Sequence, residues 1–126
     1  MAIVDTSVLI DLANGNRAAV AAASRFQRGG QELLISSVSV FELASGWPAG
    51  LGEKRKEFLR AFSSVPLDDE SAELGGTIFA QLRASGQEID AADAMIAATA
   101  SNLGEPVLTR NSKHFKRIKG LEVITY

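Results

Sequence analysis

Short apolar runs alternate with segments of helical periodicity along the chain. The apolar runs are typical of strands buried in a sheet, and the segments between them repeat apolar residues every three or four positions, as helices do. Strands are predicted at 2–4, 32–36, 65–67, 107–109 and 122–125. Helices are predicted to begin at the capping residues Ser7, Asn16, Ser36 or Ser37, Asp68 or Asp69 and Asp90, with one more at 53–63 and a basic loop or short helical turn at 110–119.

The predicted helices differ in how much of their surface is apolar. Helical spacing places Val20 and Ala23 on the inner side of the second helix, and Val40 and Trp47 on one side of the third. The helix from Asp90 to about Leu103 is apolar and small-sided nearly all round. Such a composition predicts a central helix packed closely against a sheet.

Strands that alternate with helices indicate βαβ units and a mainly parallel sheet. The expected fold class is therefore α/β, a three-layer α/β/α arrangement with about five strands. Pro66 confines the strand at 65–67 to an edge of that sheet. The length of 126 residues fits a single domain over 1–126, and there is no repeat or linker.

Composition excludes several classes of function. The chain has no Cys, which rules out disulfides and zinc–thiolate sites. Neither a signal peptide nor an apolar run long enough for a bilayer is seen, so we expect a soluble cytoplasmic protein with no membrane partner. The net charge of −2 means that binding to nucleic acid would need a local basic patch.

Acidic residues mark three junctions between predicted elements. Asp5 follows the first strand, Glu42 lies in the helix after the second strand, and Asp93 begins the apolar helix. The carboxyl ends of parallel strands share one edge of a sheet, so these carboxylates could meet there. Carboxylate oxygens suit Mg2+ and Mn2+, which promote phosphodiester cleavage by activating water.

Each acid also has a simpler structural explanation. Asp5 could oppose the positive end of the helix that it precedes, and Glu42 could be a solvated residue in mid-helix. Asp90 and Asp93 have the spacing of a capping box. These explanations account for each acid separately but not for the recurrence of acids at successive junctions.

A basic segment lies close to the last predicted strands. It would be a solvated loop on its own, but beside an acidic metal site it would supply contacts to phosphate. His114 is the only histidine and no nucleophile-elbow or P-loop pattern occurs, so a serine triad or nucleotide-binding loop is not expected. The residues predicted to contact RNA are Arg110, Lys113, His114, Lys116 and Arg117.

Four motifs, in order along nearly the whole chain, resemble the PIN domain family, and specifically the VapC-type ribonuclease toxins of toxin–antitoxin pairs. They are Val4-Asp5-Thr6-Ser7-Val8-Leu9, Ser36-x-Val38-x(3)-Glu42-Leu43, Asp93-x-x-Ile96-Ala97-Ala98-Thr99-Ala100, and Leu108-Thr109-Arg110-Asn111 followed by His114-Phe115. The resemblance implies a five-stranded parallel sheet with helices on both sides. It further implies an acidic pocket at the carboxyl edge of that sheet.

The resemblance also implies roles for individual residues. Asp5, Glu42 and Asp93 would be the catalytic metal ligands, with Ser7 and Thr109 supporting them. Asn111 stands at a fourth position where many members of the family have Asp, which puts a second metal ion in doubt. Asp90 is a further candidate ligand, one turn away from Asp93. The implied cofactor is Mg2+ or Mn2+.

The leading hypothesis is a metal-dependent endoribonuclease that acts as a toxin and cleaves loops of structured RNA such as tRNA or rRNA. The family implies a homodimer and inhibition by a small VapB-like antitoxin. The alternative is a non-catalytic module on the same fold that binds RNA or an antitoxin, and Asn111 is the feature that favours it. A receiver domain or a haloacid-dehalogenase-type phosphatase fits poorly, because the acids of those families are misplaced or absent here.

Overall fold

The computed structural model describes all residues from 1 to 126. The strands are β1 (Ala2–Val4), β2 (Leu33–Ser36), β3 (Ser63–Val65), β4 (Val107–Leu108) and β5 (Val123–Ile124). The helices are α1 (Thr6–Ala13), α2 (Arg17–Arg28), α3 (Ser37–Ser45), α4 (Gly52–Leu59), α5 (Asp69–Ala84), α6 (Ala91–Leu103) and α7 (Ser112–Phe115). No helix is long and apolar enough to cross a membrane.

All five strands form one parallel sheet in the order β3-β2-β1-β4-β5. The α/β fold class, the parallel sheet and the edge position of the third strand are confirmed. β1 lies at the centre, pairing Val4 with Ile35 on one side and with Leu108 on the other. The residue after β1 is therefore held between two neighbouring strands at the carboxyl edge, where sites of open α/β sheets form.

The sheet is covered on both faces, as the short apolar strands require. Because side chains alternate along a strand, Ile3 packs with α5 and α6 on one face, while Ala2 and Val4 pack with α1 and α2 on the other. The buried helix predicted from Asp90 is confirmed as α6. Its residues Ile96, Ala97, Ala98 and Ala100 have no exposed surface.

One predicted N-cap and one predicted capping box prove to be wrong. α1 is capped by Asp5 and not by Ser7, because Asp5 accepts a hydrogen bond from the Val8 amide and Ser7 already lies within the helix. The capping box of Asp90 and Asp93 does not form: Asp90 precedes α6, but its side chain caps no amide. Asn16 does cap α2, as predicted.

Several apolar positions also differ from prediction. Val20 is 44% exposed because the buried stripe of α2 falls on its alanines. Trp47 lies beyond the end of α3 and stacks against Arg55. The edge strand runs over Ser63–Val65 and ends just before Pro66, and α4 ends at Leu59 instead of reaching 63. In each case the tertiary neighbours, and not the local pattern, decide which residue is covered.

Glycine is required at one point where α5 crosses α6. A Cβ on Gly75 would lie 3.3 Å from the Ala94 carbonyl oxygen and 3.3 Å from the Met95 Cα. These are backbone atoms of a buried helix, which have little freedom to move. The neighbouring Gly76, on the same helix, has nothing within 4 Å of such a Cβ.

Gly75→Ala should therefore lower the free energy of unfolding by about 1 kcal/mol, since overpacking costs roughly 1–3 kcal/mol against a helix-propensity gain of about 1 kcal/mol. The matched control Gly76→Ala should raise it by about 0.5–1 kcal/mol, because only the propensity term acts. Urea denaturation of both variants measures the difference. Equal stabilisation by the two substitutions would contradict the close packing of α5 on α6.

Candidate metal centre

Asp5 lies at the centre of the carboxyl edge of the sheet and is only 2% exposed. Its backbone amide donates to the Leu108 carbonyl at 3.1 Å, which extends the pairing of β1 and β4 by one residue. Its Oδ1 accepts from the Ser7 hydroxyl at 2.6 Å and from the Val8 amide at 3.2 Å. Its Oδ2 accepts from the Thr109 hydroxyl at 2.7 Å. The buried carboxylate is thus held at both oxygens.

Ser7 and Thr109, the two predicted supporting residues, both donate hydrogen bonds to Asp5. Thr109 is fully buried, and its hydroxyl oxygen also accepts from the Asn111 amide at 2.8 Å. The Ser7 hydroxyl oxygen lies 3.4 Å from the Arg110 amide. These two hydroxyls therefore connect Asp5 to the loop that follows β4.

Glu42 reaches the same edge of the sheet from α3. Its Oε1 accepts a hydrogen bond from the Thr6 hydroxyl at 2.6 Å. Thr6 is the residue directly after Asp5, and its hydroxyl also lies 3.0 Å from that of Ser39. Glu42 is therefore partly buried and fixed beside α1, which excludes the explanation that it is a freely solvated residue.

Asp93, in the first turn of α6, has a strongly perturbed acidity. Burial raises the pKa of its carboxyl from 3.8 to about 6, with the charges of Asp5 and Asp90 raising it further and a contact to His114 opposing the shift. Its Oδ2 lies 3.3 Å from His114 Nδ1, and its side chain is 14% exposed. The charge of Asp5 therefore forms part of the electrostatic environment of Asp93.

The remaining candidates are arranged less tightly. Asp90 and Asn111 are both exposed, and the side chain of Asn111 caps no amide of α7. No group of three or more acidic or histidine side chains is close enough to share one metal ion in this conformation. The structure thus brings the predicted carboxylates to one edge of the sheet without closing them around a point.

The basic residues of the loop and α7 have different environments. Lys113 and Lys116 are exposed, and Arg110 lies 3.4 Å from Asp11. Arg117 is directed elsewhere, because its guanidinium donates to the backbone carbonyls of residues 87 and 88. His114 is beside Asp93 and contacts a carboxylate, a position that the sequence did not indicate.

Sequence reasoning missed four residues at or near this edge. Thr6 and Ser39 orient Glu42, and Asp11 and Tyr126 form a hydrogen bond of 2.6 Å beside Arg110. Thr6 adjoins Asp5 in the sequence, and this adjacency could have identified it as a residue of the site. Nothing in the sequence indicates that Tyr126 meets a residue 115 positions earlier.

The model of the PIN domain matches residues 2–121. The chain belongs to the PIN domain family. This PIN protein is 31% identical to Ribonuclease VapC19 of Mycobacterium tuberculosis, over 97% of this chain and 98% of the relative. It is 30% identical to the tRNA(fMet)-specific endonuclease VapC of Salmonella typhimurium, over 79% of each chain. The resemblance to VapC ribonuclease toxins is therefore confirmed.

The fold of this PIN protein matches solved toxin–antitoxin assemblies. A chain of the DNA-bound VapBC complex of Salmonella typhimurium aligns with a TM-score of 0.80 and 26% identity, over 99% of this PIN chain and 98% of that chain. The five-stranded PIN-like architecture is therefore confirmed.

The raised pKa of Asp93 predicts a stability that depends on pH. The Asp93 carboxyl holds its proton more tightly in the native protein than in the unfolded chain. Its favourable contribution to the free energy of unfolding is therefore complete below pH 3.8 and is lost as the pH rises through about 6. Near neutral pH, without added metal and with a chelator present, Asp93→Asn should therefore have a free energy of unfolding roughly 1–3 kcal/mol higher than that of the parent.

The same variant should show no such gain near the unfolded pKa of 3.8, where the carboxyl is protonated in the native state. Urea denaturation at a series of pH values measures both outcomes. Glu73→Gln, which removes an exposed carboxylate of α5, is the matched control and should change stability little at any pH. A destabilised Asp93→Asn near neutral pH would contradict the burial of a repelled charge.

Proposed function

We propose that the chain is a metal-dependent endoribonuclease that acts as the toxin of a toxin–antitoxin pair and hydrolyses phosphodiester bonds of structured RNA. The observation that carries the proposal is the pair formed by Asp5 and Asp93. One is a buried carboxylate fixed by three donors, and the other is a largely buried carboxylate whose pKa the first one raises. Asp5 forms no ion pair and Asp93 is paired only with His114, so these two acids form an environment suited to a cation.

The donor set fits a hard divalent cation by its chemistry. Asp5, Glu42 and Asp93 would hold Mg2+ or Mn2+ through carboxylate oxygens, and Asn111 and Asp90 are further candidates. When bound, such an ion activates water as a nucleophile and neutralises charge on the phosphate. A cation would also relieve the repulsion that raises the pKa of Asp93.

The chain's own side chains prepare the site for this chemistry. Ser7 and Thr109 each donate to Asp5, which leaves that carboxylate only its remaining lone pairs for another partner. Thr6 restrains Glu42 in the same way. The exposed Lys113 and Lys116 supply positive charge beside the acidic edge, where they would contact the phosphates of RNA.

The substrate class rests on the relatives and on accessibility. One relative is named as specific for tRNA(fMet) and another as a ribonuclease. A site at the edge of a sheet binds single-stranded RNA more readily than double-stranded RNA. The backbone of a single strand can follow the surface, whereas the major groove of an RNA duplex is deep and narrow. We therefore propose loops of tRNA or rRNA as the targets of this chain.

Asp93→Asn should reduce RNA cleavage by at least about a thousandfold, since it removes a charged ligand from the site. The same substitution should raise thermal stability without metal, for the reason given above, so that lost activity cannot be attributed to unfolding. Cleavage of total tRNA in the presence of Mg2+ or Mn2+, followed by gel electrophoresis, measures the rate.

Glu73→Gln is the control for this experiment as well and should cleave RNA at the parental rate, because it is exposed on α5. Asp5→Asn should be as inactive as Asp93→Asn but less stable, since the amide cannot accept at both positions. An Asp93→Asn protein that cleaves like the parent would refute the proposed chemistry.

A non-catalytic RNA- or antitoxin-binding module is the second candidate. It is favoured by the neutral, exposed Asn111 and by acidic side chains that do not close around one point. Calorimetric titration with Mg2+ and Mn2+ separates the two candidates. Specific binding that is lost in Asp93→Asn supports the nuclease, and the absence of specific binding supports the module.

An apolar groove supports the proposed antitoxin partner. The groove has a volume of about 560 Å3 and lies between α1, α3 and α4. The relative of known structure from Salmonella typhimurium is part of a VapBC complex. A helix with an apolar side fits such a groove. The apolar residues of the lining include Leu9, Ile10, Ala13, Leu43, Trp47 and Phe58.

A homodimer would need a different apolar surface. Phe41 on α3 is 73% exposed, the most of any large apolar residue in the chain. The alternative surface around Phe58 and Phe62 is partly buried in the core and is less available. We therefore propose that α3 provides the dimer contact through Phe41.

Ile10→Glu should weaken binding of the small protein encoded by the neighbouring reading frame by about a hundredfold or more, because a charge would enter an apolar contact. Ile10 is 42% exposed in the groove, so the folded chain should tolerate the substitution. The control is Val20→Glu, at 44% exposure on α2 and outside this groove. Surface plasmon resonance measures both affinities, and equal weakening would contradict the assignment of the groove.

A further inference from the structure

Asp11 is a buried carboxylate that the proposed metal centre does not use. It lies on α1 and is 7% exposed, and Asp5 is the only other acidic residue with so little exposure. Its Oδ2 accepts a hydrogen bond from the Tyr126 hydroxyl at 2.6 Å. The same oxygen lies 3.4 Å from Arg110 Nε. Two side chains from after β4 and β5 therefore meet on one carboxylate of α1.

Tyr126 remains a hydrogen-bond donor over the ordinary pH range. Burial raises the pKa of its phenol, and the adjacent Asp11 charge raises it further. Arg110, which contacts Asp11, also lies beside Ser7 through its amide, so the cluster adjoins the proposed metal centre. The phenol thus fixes the Asp11 carboxylate without competing with it for a proton.

Arg110 is held at one end and free at the other. Its amide lies 3.4 Å from the Ser7 hydroxyl oxygen, and that hydroxyl donates to Asp5. Its Nε faces Asp11, while the two terminal nitrogens make no hydrogen bond or ion pair within the protein. The side chain remains 53% exposed. A guanidinium in this state can bind a second anion with its terminal nitrogens, as Arg does with phosphate.

We infer that Asp11 and Tyr126 are positioning residues that hold the Arg110 guanidinium against α1, so that its terminal nitrogens bind a phosphate group of the RNA. The inference rests on the proposed function, because it takes RNA as the ligand. It assigns Asp11 a role opposite to that expected from its charge. A carboxylate near a phosphate should weaken RNA binding by repulsion, whereas here it strengthens binding by orienting the cation.

The test measures RNA binding in an Asp93→Asn background without metal, where no cleavage occurs. The probe is a fluorescently labelled RNA hairpin with a single-stranded loop, and anisotropy gives Kd at several salt concentrations. Arg110→Ala should weaken binding about tenfold and lower the slope of log Kd against log salt by about 0.7–1, as expected for one lost phosphate contact. The control is Arg60→Ala, which should change neither value. Arg60 is exposed and precedes β3, so it lies toward the amino-terminal edge of the sheet.

Asp11→Asn and Tyr126→Phe should each weaken binding about threefold, although the first removes a negative charge and the second removes none. Both effects should disappear when Arg110→Ala is already present. Tighter binding by Asp11→Asn, or equal weakening with and without Arg110, would overturn the inference. Thermal melts identify a variant that fails to fold, and Tyr126→Phe, which loses only a hydroxyl, then decides the question.

Two further results separate this inference from the proposed function. Parental protein that neither cleaves nor binds RNA would refute the proposed function and the role of Arg110 with it. RNA binding that is intact in the parent but insensitive to Arg110→Ala would refute the inference alone. In the free protein, NMR should detect an Arg110 Nε–H protected from water exchange, and Asp11→Asn should remove that protection.

Discussion

The hydrogen bonds around the Asp5 carboxylate are the interaction on which the rest of the site depends. A buried carboxylate is tolerated only when its oxygens are satisfied, and leaving one unpaired costs several kcal/mol. Here the donors are Ser7 and the Val8 amide on α1, and Thr109 after β4. The same contacts therefore tie the first helix and two adjacent strands together at the carboxyl edge. The contacts that fix this buried charge also hold this edge of the sheet together.

No basic side chain forms an ion pair with Asp5. Asp93 contacts only His114, and its pKa is still raised to about 6 by burial and by Asp5 and Asp90. The metal-free protein thus carries repulsion that a purely structural site would avoid, and such unfavourable electrostatics are typical of functional sites. Capping does not explain it, because the Asp90 side chain caps no amide. A cation at this edge would turn the repulsion into binding energy.

The fold was largely predictable, and the site only in part. Apolar strands and glycine helix ends are local signals, so the sheet and α6 with Gly104 at its end followed from the sequence. The acidic residues at three element junctions were also local signals. The identity of the α1 cap was not, because Asp5 and Ser7 are both good caps and Thr109, 104 residues later, fixes Asp5 in place. Tyr126 contacts Asp11 across an even longer separation of 115 positions, which no local signal indicates.

Asn111 shows why the charge at the fourth position can differ without loss of the network. Its backbone amide, and not its side chain, donates to Thr109, which in turn donates to Asp5. The support of Asp5 is therefore independent of the residue type at 111, and the exposed side chain is available for a ligand. A carboxylate there would add to the repulsion that already raises the pKa of Asp93. The neutral amide of Asn111 therefore adds no charge to this edge of the sheet.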